Sequence, residues 1–534
     1  MFYSEKRAPV VDRTNDRLDG WGAARLPMPV PSRPRRAATL SLALLLAVAG
    51  TPTAGPLASG PTVRAATEIR PRIPGIAPLT HEVYGYLPYW RLDPGTVDRI
   101  RYDLVSTIAF FGLGITATGA LDTAWVGYRE YVGDDAAAVT NAAHDRGVRV
   151  VPTFQLFDTA SGAPKMSAFL GSTTAQDRFI RQALDLMALR KADGAGLDFE
   201  PVGALAARAP EFIAFVARFR TAMKARFPTA TLVNATSVGA TEALVKGIAP
   251  YVDRQMVMAY NYRWTGSTVT GAIAPLDQAA RNVKDHIGRM ISWVPAKSLL
   301  LGVPYYGYDW PVTSDIPNAT VQSNKTTYGA VKSVTYASAR TFLATHPEVV
   351  RNYDALEGSG FYTYWDSTKK TFRQVYFEEE RSLTAKYDYA IATGLGGIGI
   401  WTLDNDRGYD ALWNVLRAKF YAPVYLAKVT GSVTNVVRRS GVVYLKVHAG
   451  SRNIGTVPLT GYLRWSIRNR AGRIILSGRW PIGVLYPGRA TLRATTVKVG
   501  LATRLAAGTY TLRVRYVSTK GTWGLPDVPF RQPY

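Results

Sequence analysis

Between Val83 and Trp401 the chain repeats one pattern: a short apolar, strand-like run, then a segment whose apolar residues recur at helical spacing. The runs are Val83–Tyr86, Leu104–Phe110, Val148–Phe154, Gly194–Glu200, Thr231–Ala235, Gln255–Tyr260, Ser298–Val303 and Gly397–Trp401. Asp177–Leu189, with Phe179, Ile180, Ala183, Leu184 and Met187 on one stripe, reads as the helix leading into the fourth run, and Pro210–Phe227 as the helix leading into the fifth. Alternating strands and helices call for a parallel sheet. Eight such units predict an α/β chain with a (β/α)8 TIM barrel, over residues 81–421.

The seventh unit is longer than a crossover requires. Its excess, about residues 313–386, contains Ser359–Trp365 and Thr371–Phe377 separated by Asp366-Ser-Thr-Lys-Lys370, the pattern of a hairpin in a small α+β insertion. From Ala422 onward the helical stripe disappears. Val442–Val447, Leu463–Ile467 and Gly508–Tyr516 are short strand-like runs bounded by turn residues, so residues 422–534 read as a β-sandwich. No internal repeat is present.

Residues 1–66 read as a signal or disordered segment and 67–80 as a linker. Arg33-Pro-Arg-Arg36 precedes the apolar run Ala37–Gly50, which is shorter than the roughly 20 residues of a membrane span and fits a secretory signal, with Met28 as an alternative start. Cleavage after Ala54, Ala58 or Ala65 is compatible with the pattern, as is an uncleaved anchor. The expectation is a secreted, wall-associated or anchored protein.

The chain has no cysteine, and its five histidines show no metal-ligand spacing, so neither a metal nor another cofactor is expected. Its formal net charge of +25 predicts attraction to a polyanion. Between Val424 and Tyr534 the single acidic residue is Asp527, set among many arginines. A cell-wall polymer, an acidic lipid surface and nucleic acid all fit that charge, as does a merely solvated basic face. No helix-turn-helix, RNP or zinc-knuckle pattern accompanies it, so nucleic acid is not expected.

Chemistry is concentrated at the end of the fourth run, Asp193-Gly-Ala-Gly196-Leu-Asp198-Phe-Glu200-Pro201. Acids two positions apart share one face of a strand. A barrel strand ending this way delivers acid and base groups to the mouth where the βα loops gather. Taken alone, the pair reads more readily as salt-bridge partners for lysines or as helix caps.

The stretch resembles the DxxDxDxE motif of the family-18 glycoside hydrolases, the chitinases and their spore-wall relatives, with Asp193, Gly196, Asp198 and Glu200 at its marked positions. Gly85-Tyr-Leu-Pro-Tyr-Trp90 is similar to the first strand of that family, Met258-Ala-Tyr260-Asn261 to its MxYD motif, Leu301–Trp310 to its seventh strand and Gly396–Trp401 to its eighth. The aromatic runs ending in Trp264 and Trp310 resemble spore-cortex members. The resemblance implies substrate-assisted hydrolysis, in which the 2-acetamido oxygen of the substrate attacks the anomeric carbon. It implies Glu200 as general acid and then base, Asp198 as the neighbour that orients the acetamido N–H, Tyr260 as donor to the acetamido oxygen, and Trp401 as the floor of the sugar site. Asn261, Tyr86, Trp264 and Tyr305 are further expected substrate contacts, with Trp90, Tyr306, Trp310, Phe110 and Gln155 behind them.

Two positions depart from the motif: Gly196 replaces the middle aspartate, and Asn261 replaces the aspartate of MxYD. The implied partner is a polysaccharide containing N-acetylglucosamine, either chitin or peptidoglycan, with a possible anionic wall polymer at the basic C-terminal region and the chain a monomer. The alternative is a chitinase-like lectin that binds glycan with little or no turnover, which Gly196 and Asn261 favour.

Overall fold

A computed structural model describes residues 67–73, 78–158, 164–322, 324–440, 442–499 and 508–532. The signal and start-site expectations for residues 1–66 lie outside them. Seven strands open the barrel: β1 (Glu82–Pro88), β2 (Thr107–Gly114), β3 (Arg149–Phe157), β4 (Gly194–Glu200), β5 (Thr231–Ser237), β6 (Arg254–Met258) and β7 (Leu299–Pro304). Five more follow β7 outside the barrel wall: β8 (Tyr306–Val312), β9 (Lys332–Thr335), β10 (Asn352–Asp354), β11 (Ser359–Asp366) and β12 (Thr371–Phe377). Then β13 (Gly397–Trp401) pairs in parallel with both β7 and β1, closing an eight-stranded barrel.

The wall forms because β4 and its neighbours are apolar on the outward side. Ala195, Leu197 and Phe199 are buried there, and the Phe199 ring lies 5.8 Å from Phe169, 5.2 Å from Phe212 and 5.7 Å from Phe215. The helix Ala209–Arg226 brings Phe212, Phe215 and Phe219 to one stripe, against Phe179 of the helix Thr173–Leu189. Burying each such ring contributes roughly 1.5–3 kcal/mol, which fixes the phase of β4. Its other face, with Gly194, Gly196, Asp198 and Glu200, therefore turns into the barrel.

Residues 67–73, read from sequence as part of a linker, are held against the bottom of the barrel. Ile69 and Ile73 are buried, the Arg70 N–H donates to Asn141 Oδ1, and Arg72 Nε donates to Asp193 Oδ1. The Pro, Gly and Thr content of the region gave no sign of the two buried isoleucines or of the hydrogen bonds from Arg70 and Ile73 to the helix Asp134–His144.

The added sheet runs in the order β10-β11-β12-β8-β9 and includes the expected β11–β12 hairpin. It begins at Tyr306 rather than near residue 313, because Tyr306–Val312 pairs antiparallel with β12 instead of prolonging β7. Arg373 and Asp309 form a buried ion pair within it.

Two antiparallel sheets follow the barrel. One is β14 (Ala427–Arg439), β15 (Val442–Asn453) and β18 (Ala490–Val499); the other is built on β16 (Leu459–Arg468), β17 (Ile474–Leu485) and β19 (Gly508–Ser518), with β20 (Gly521–Gly524) and β21 (Val528–Gln532) both pairing β19. Leu445, Val447, Leu463, Trp465, Ile467, Leu512, Val514 and Tyr516 fill the space between them. Among the described residues no helix is long and apolar enough to cross a membrane.

Candidate active site

Asp198 and Glu200 occupy successive inward positions at the carboxyl end of β4. Asp198 is 4% exposed, and its Oδ1 has no hydrogen-bond partner among the described residues. Gln155 of β3 stands beside it in register, as Phe157 stands beside Glu200. Burial pushes the Asp198 carboxyl well above the usual carboxylate range, and the charge of Glu200 pushes it further. Burial likewise raises Glu200, to about 7. The two carboxyls influence each other, neither has a cation in ion-pair contact among the described residues, and the pair titrates as a unit.

Tyr86 and Tyr260 face the pair from β1 and from just beyond β6. Both phenols are pushed up by burial, and both feel the two carboxylates. The Trp401 ring, at the end of β13, lies 5.4 Å from Tyr86, 4.7 Å from Phe111 and 6.4 Å from Trp90, all edge-on. Trp401 is only partly buried within this edge-on cluster. Trp90 is 39% exposed, so the cluster reaches the surface.

Asn261, in a left-handed conformation with φ 62°, accepts hydrogen bonds through Oδ1 from Tyr306 Oη at 2.6 Å and Tyr308 Oη at 3.0 Å. Both tyrosines belong to β8, so the added sheet orients this amide. Its Nδ2 donors have no partner among the described residues.

Tyr305 does not reach the cavity. It is fully buried on the helix side of the barrel, and its Oη lies 3.0 Å from Tyr387 Oη. Strand alternation gives the cavity side to Tyr306 instead, whose ring is 6.4 Å from Tyr260. Phe110 is displaced by the same one-residue phase: it packs outward on Tyr131, and Phe111 turns inward. Trp264 sits on the exposed loop after β6, with its carbonyl accepting from Trp310 Nε1, and makes no ring contact with the Trp401 cluster.

Asp193 lies at the opposite end of β4. It binds Arg72 and the ring of His144 and accepts from the Val150 N–H, and burial is overcome by these partners, which hold its carboxyl below the usual range. Gly196 stands between it and the pair. A Cβ there would meet Thr153 Oγ1 at 3.0 Å and Tyr84 Oη at 3.1 Å, and neither hydroxyl has a hydrogen-bond partner among the described residues. These two hydroxyls were invisible to motif reading, though the period of β1 and β3 puts them on the inner face.

Among the described residues no group of three or more histidine, aspartate or glutamate side chains gathers as a metal site would require. A cavity of about 950 Å³ lies against the added sheet near Phe342, Tyr364 and Trp365, away from the carboxyl pair.

Comparison with known proteins gives these features a context. Residues 158–406 match the model of Glycosyl hydrolases family 18. The chain is similar to a "Putative sporulation-specific glycosylase YdhD" of Bacillus subtilis, 26% identical over 275 residues, covering 51% of this chain and 61% of that protein. A "Cortical fragment-lytic enzyme" of Bacillus anthracis is 26% identical over 247 residues, 44% of this chain and 52% of the other. The chain thus spans about half to three-fifths of the length of these relatives. Among solved structures, a chitinase from Cycas revoluta in complex with (GlcNAc)3 superposes with a TM-score of 0.55 at 17% identity, covering 63% of this chain and 99% of that one. The Bacillus cereus spore cortex-lytic enzyme SleL superposes with a TM-score of 0.51 at 21% identity, covering 63% and 73%. At these identities the two structures speak for the barrel fold.

Proposed function

We propose, starting from a barrel of the family-18 glycoside hydrolase type, that this chain is a retaining hydrolase of β-linked N-acetylglucosamine glycans that uses the substrate's own acetamido group as nucleophile. The observation that carries the reading is the pair of burial-raised carboxyls, Asp198 and Glu200, on one face at the end of β4 with no cation in ion-pair contact among the described residues. Acids meant for structure have partners, as Asp193 does. An unpartnered pair is costly and is kept where a proton must be moved.

In the reaction, the acetamido N–H donates to ionised Asp198, and the shared proton resides on Glu200. The acetamido oxygen attacks the anomeric carbon as the bond to the leaving oxygen breaks, and Glu200 gives its proton to that oxygen. Glu200, now a carboxylate, accepts a proton from the water that opens the oxazolinium ring at the same carbon, so configuration is retained. Tyr260 donates to the acetamido oxygen, Trp401 packs under the ring, and the Nδ2 group of Asn261 donates to a sugar oxygen where an aspartate would only accept. The cortex-lytic relatives and the basic C-terminal sheets support peptidoglycan over chitin, and the apolar run Ala37–Gly50 supports secretion, with the chain acting as a monomer at the wall.

The test is release of reducing ends from N-acetylglucosamine tetramer and from purified peptidoglycan, with the glucosamine tetramer as control. The expected result is cleavage of acetylated substrates alone, with the β-anomer appearing first by NMR, and binding without turnover in Glu200→Gln. Equal cleavage of the deacetylated oligomer would overturn the acetamido mechanism. Binding without turnover by the unmodified chain would establish the lectin reading that Gly196 and Asn261 favour.

A further inference from the structure

The second C-terminal sheet carries an unusual cross-strand file. Arg464 of β16 lies directly opposite Arg479 of β17 on one side and Arg515 of β19 on the other. All three are exposed, because the alternate residues Leu463, Trp465, Val514 and Tyr516 are buried between the sheets. Neighbouring strands lie roughly 4.8 Å apart, so three guanidinium groups stand in a row roughly 10 Å long. Like charges directly opposite one another destabilise a sheet. No carboxylate among the described residues lies within ion-pair distance of any of the three.

The same face continues with Arg513 and Arg468. Its one acid, Asp527, is held in both prongs of Arg513, Nε and Nη2 each at 2.7 Å. Arg513 holds the Asp527 carboxyl below the usual range, and Arg468 and Arg515 add to the effect, so these cations converge on one surface. Asp527 shows the mode of engagement: a planar fork on two oxygens. The row beside it offers three more forks.

We infer that the Arg479–Arg464–Arg515 row binds a flexible, linear phosphodiester polymer laid across the strands, one anionic group to each fork. This does not depend on the barrel's activity. The hydroxyls left accessible at the row's flank, Ser477, Thr509 and Thr511, supply donors to phosphate oxygens. Bases would need aromatic platforms. The aromatics of β16, β17 and β19 are Trp465, Trp480, Tyr510 and Tyr516, which turn toward the other sheet, and Tyr462, which alone faces outward. The surface is therefore suited to a charged backbone without stacked bases.

The test measures binding of the full chain to soluble poly(glycerol phosphate) from 50 to 200 mM NaCl. The expected result is a Kd that rises steeply with salt, and a triple variant, Arg464→Gln, Arg479→Gln and Arg515→Gln, that loses about tenfold or more in affinity and about two to three units of the log–log salt slope. A variant of the same charge, Arg439→Gln, Arg470→Gln and Arg493→Gln, keeps affinity within about twofold. Equal loss in both variants would reduce the row to diffuse charge and overturn the inference, as would absence of binding at 50 mM NaCl. Tighter binding to duplex DNA, or to phosphatidylglycerol vesicles, at equal phosphate would assign the face to nucleic acid or to a lipid surface and likewise overturn it. Should the triple variant misfold, Arg464→Lys keeps the charge and removes the fork: lower affinity at an unchanged salt slope supports the row, and unchanged affinity sinks it.

Discussion

The two ends of β4 carry acids of the same strand in opposite circumstances. At the amino end Asp193 is fixed by Arg72, His144 and the Val150 N–H and is held ionised. At the carboxyl end, Asp198 and Glu200 have no cation in ion-pair contact among the described residues, and burial raises both. Burial alone is common to the two sites, so the sign of the shift is decided by who stands opposite. The strand thus has an ion-paired end, at Asp193, and an end without ion pairs among the described residues that begins five residues on, at Asp198.

Glu200→Gln gives the largest expected break of that contrast: turnover should fall by about 10³-fold or more, within the range a general acid supplies, while glycan affinity by calorimetry stays within about threefold. Retained turnover would move the chemistry away from the pair. Asp193→Asn is the mirror experiment. It should cost about 3 kcal/mol in urea unfolding, because Arg72 loses a partly buried partner, with kcat of the folded fraction nearly unchanged. Since the Asp193 carboxyl is depressed, its contribution is present above the unfolded pKa near 4 and is lost as pH falls through the lower folded value.

The raised Glu200 works in the opposite sense. In the proposed mechanism its protonated form is the acid, so kcat should decline as pH rises through about 7. The native state also binds this proton more tightly than the unfolded chain does, so the ionised site costs stability above the unfolded value. Glu200→Gln should therefore stabilise the fold at pH 8, by on the order of 2 kcal/mol, and have little effect at pH 4. A Tm gain independent of pH would contradict the shift. The smallest effect is expected for Asn261→Asp, which keeps the acceptor for Tyr306 and Tyr308 but removes the Nδ2 donors: KM should change by about tenfold or less, with kcat preserved, because a single hydrogen bond is exchanged.

The barrel was readable because its strands and helices differ in apolar period, and the carboxyl pair because spacing of two fixes a shared face. The failures are mostly failures of phase. Strands buried on both sides are apolar at every position, so nothing in Phe110-Phe111 or Tyr305-Tyr306 says which ring turns inward. Packing against Tyr131 and Tyr387 decides it. The partners of Asn261 come from a strand that leaves the barrel wall, and the segment 67–73 hydrogen-bonds to a helix distant in sequence. Such contacts exist only after the chain has closed on itself.

The crowding at Gly196 has a consequence for redesign. With Thr153 Oγ1 and Tyr84 Oη 3.0 Å and 3.1 Å from where a Cβ would stand, an aspartate introduced there requires one of those hydroxyls to give way by a few tenths of an ångström. Pairing Gly196→Asp with Thr153→Ala makes that room, so a third inward carboxyl is best retrofitted to the strand as a two-site change.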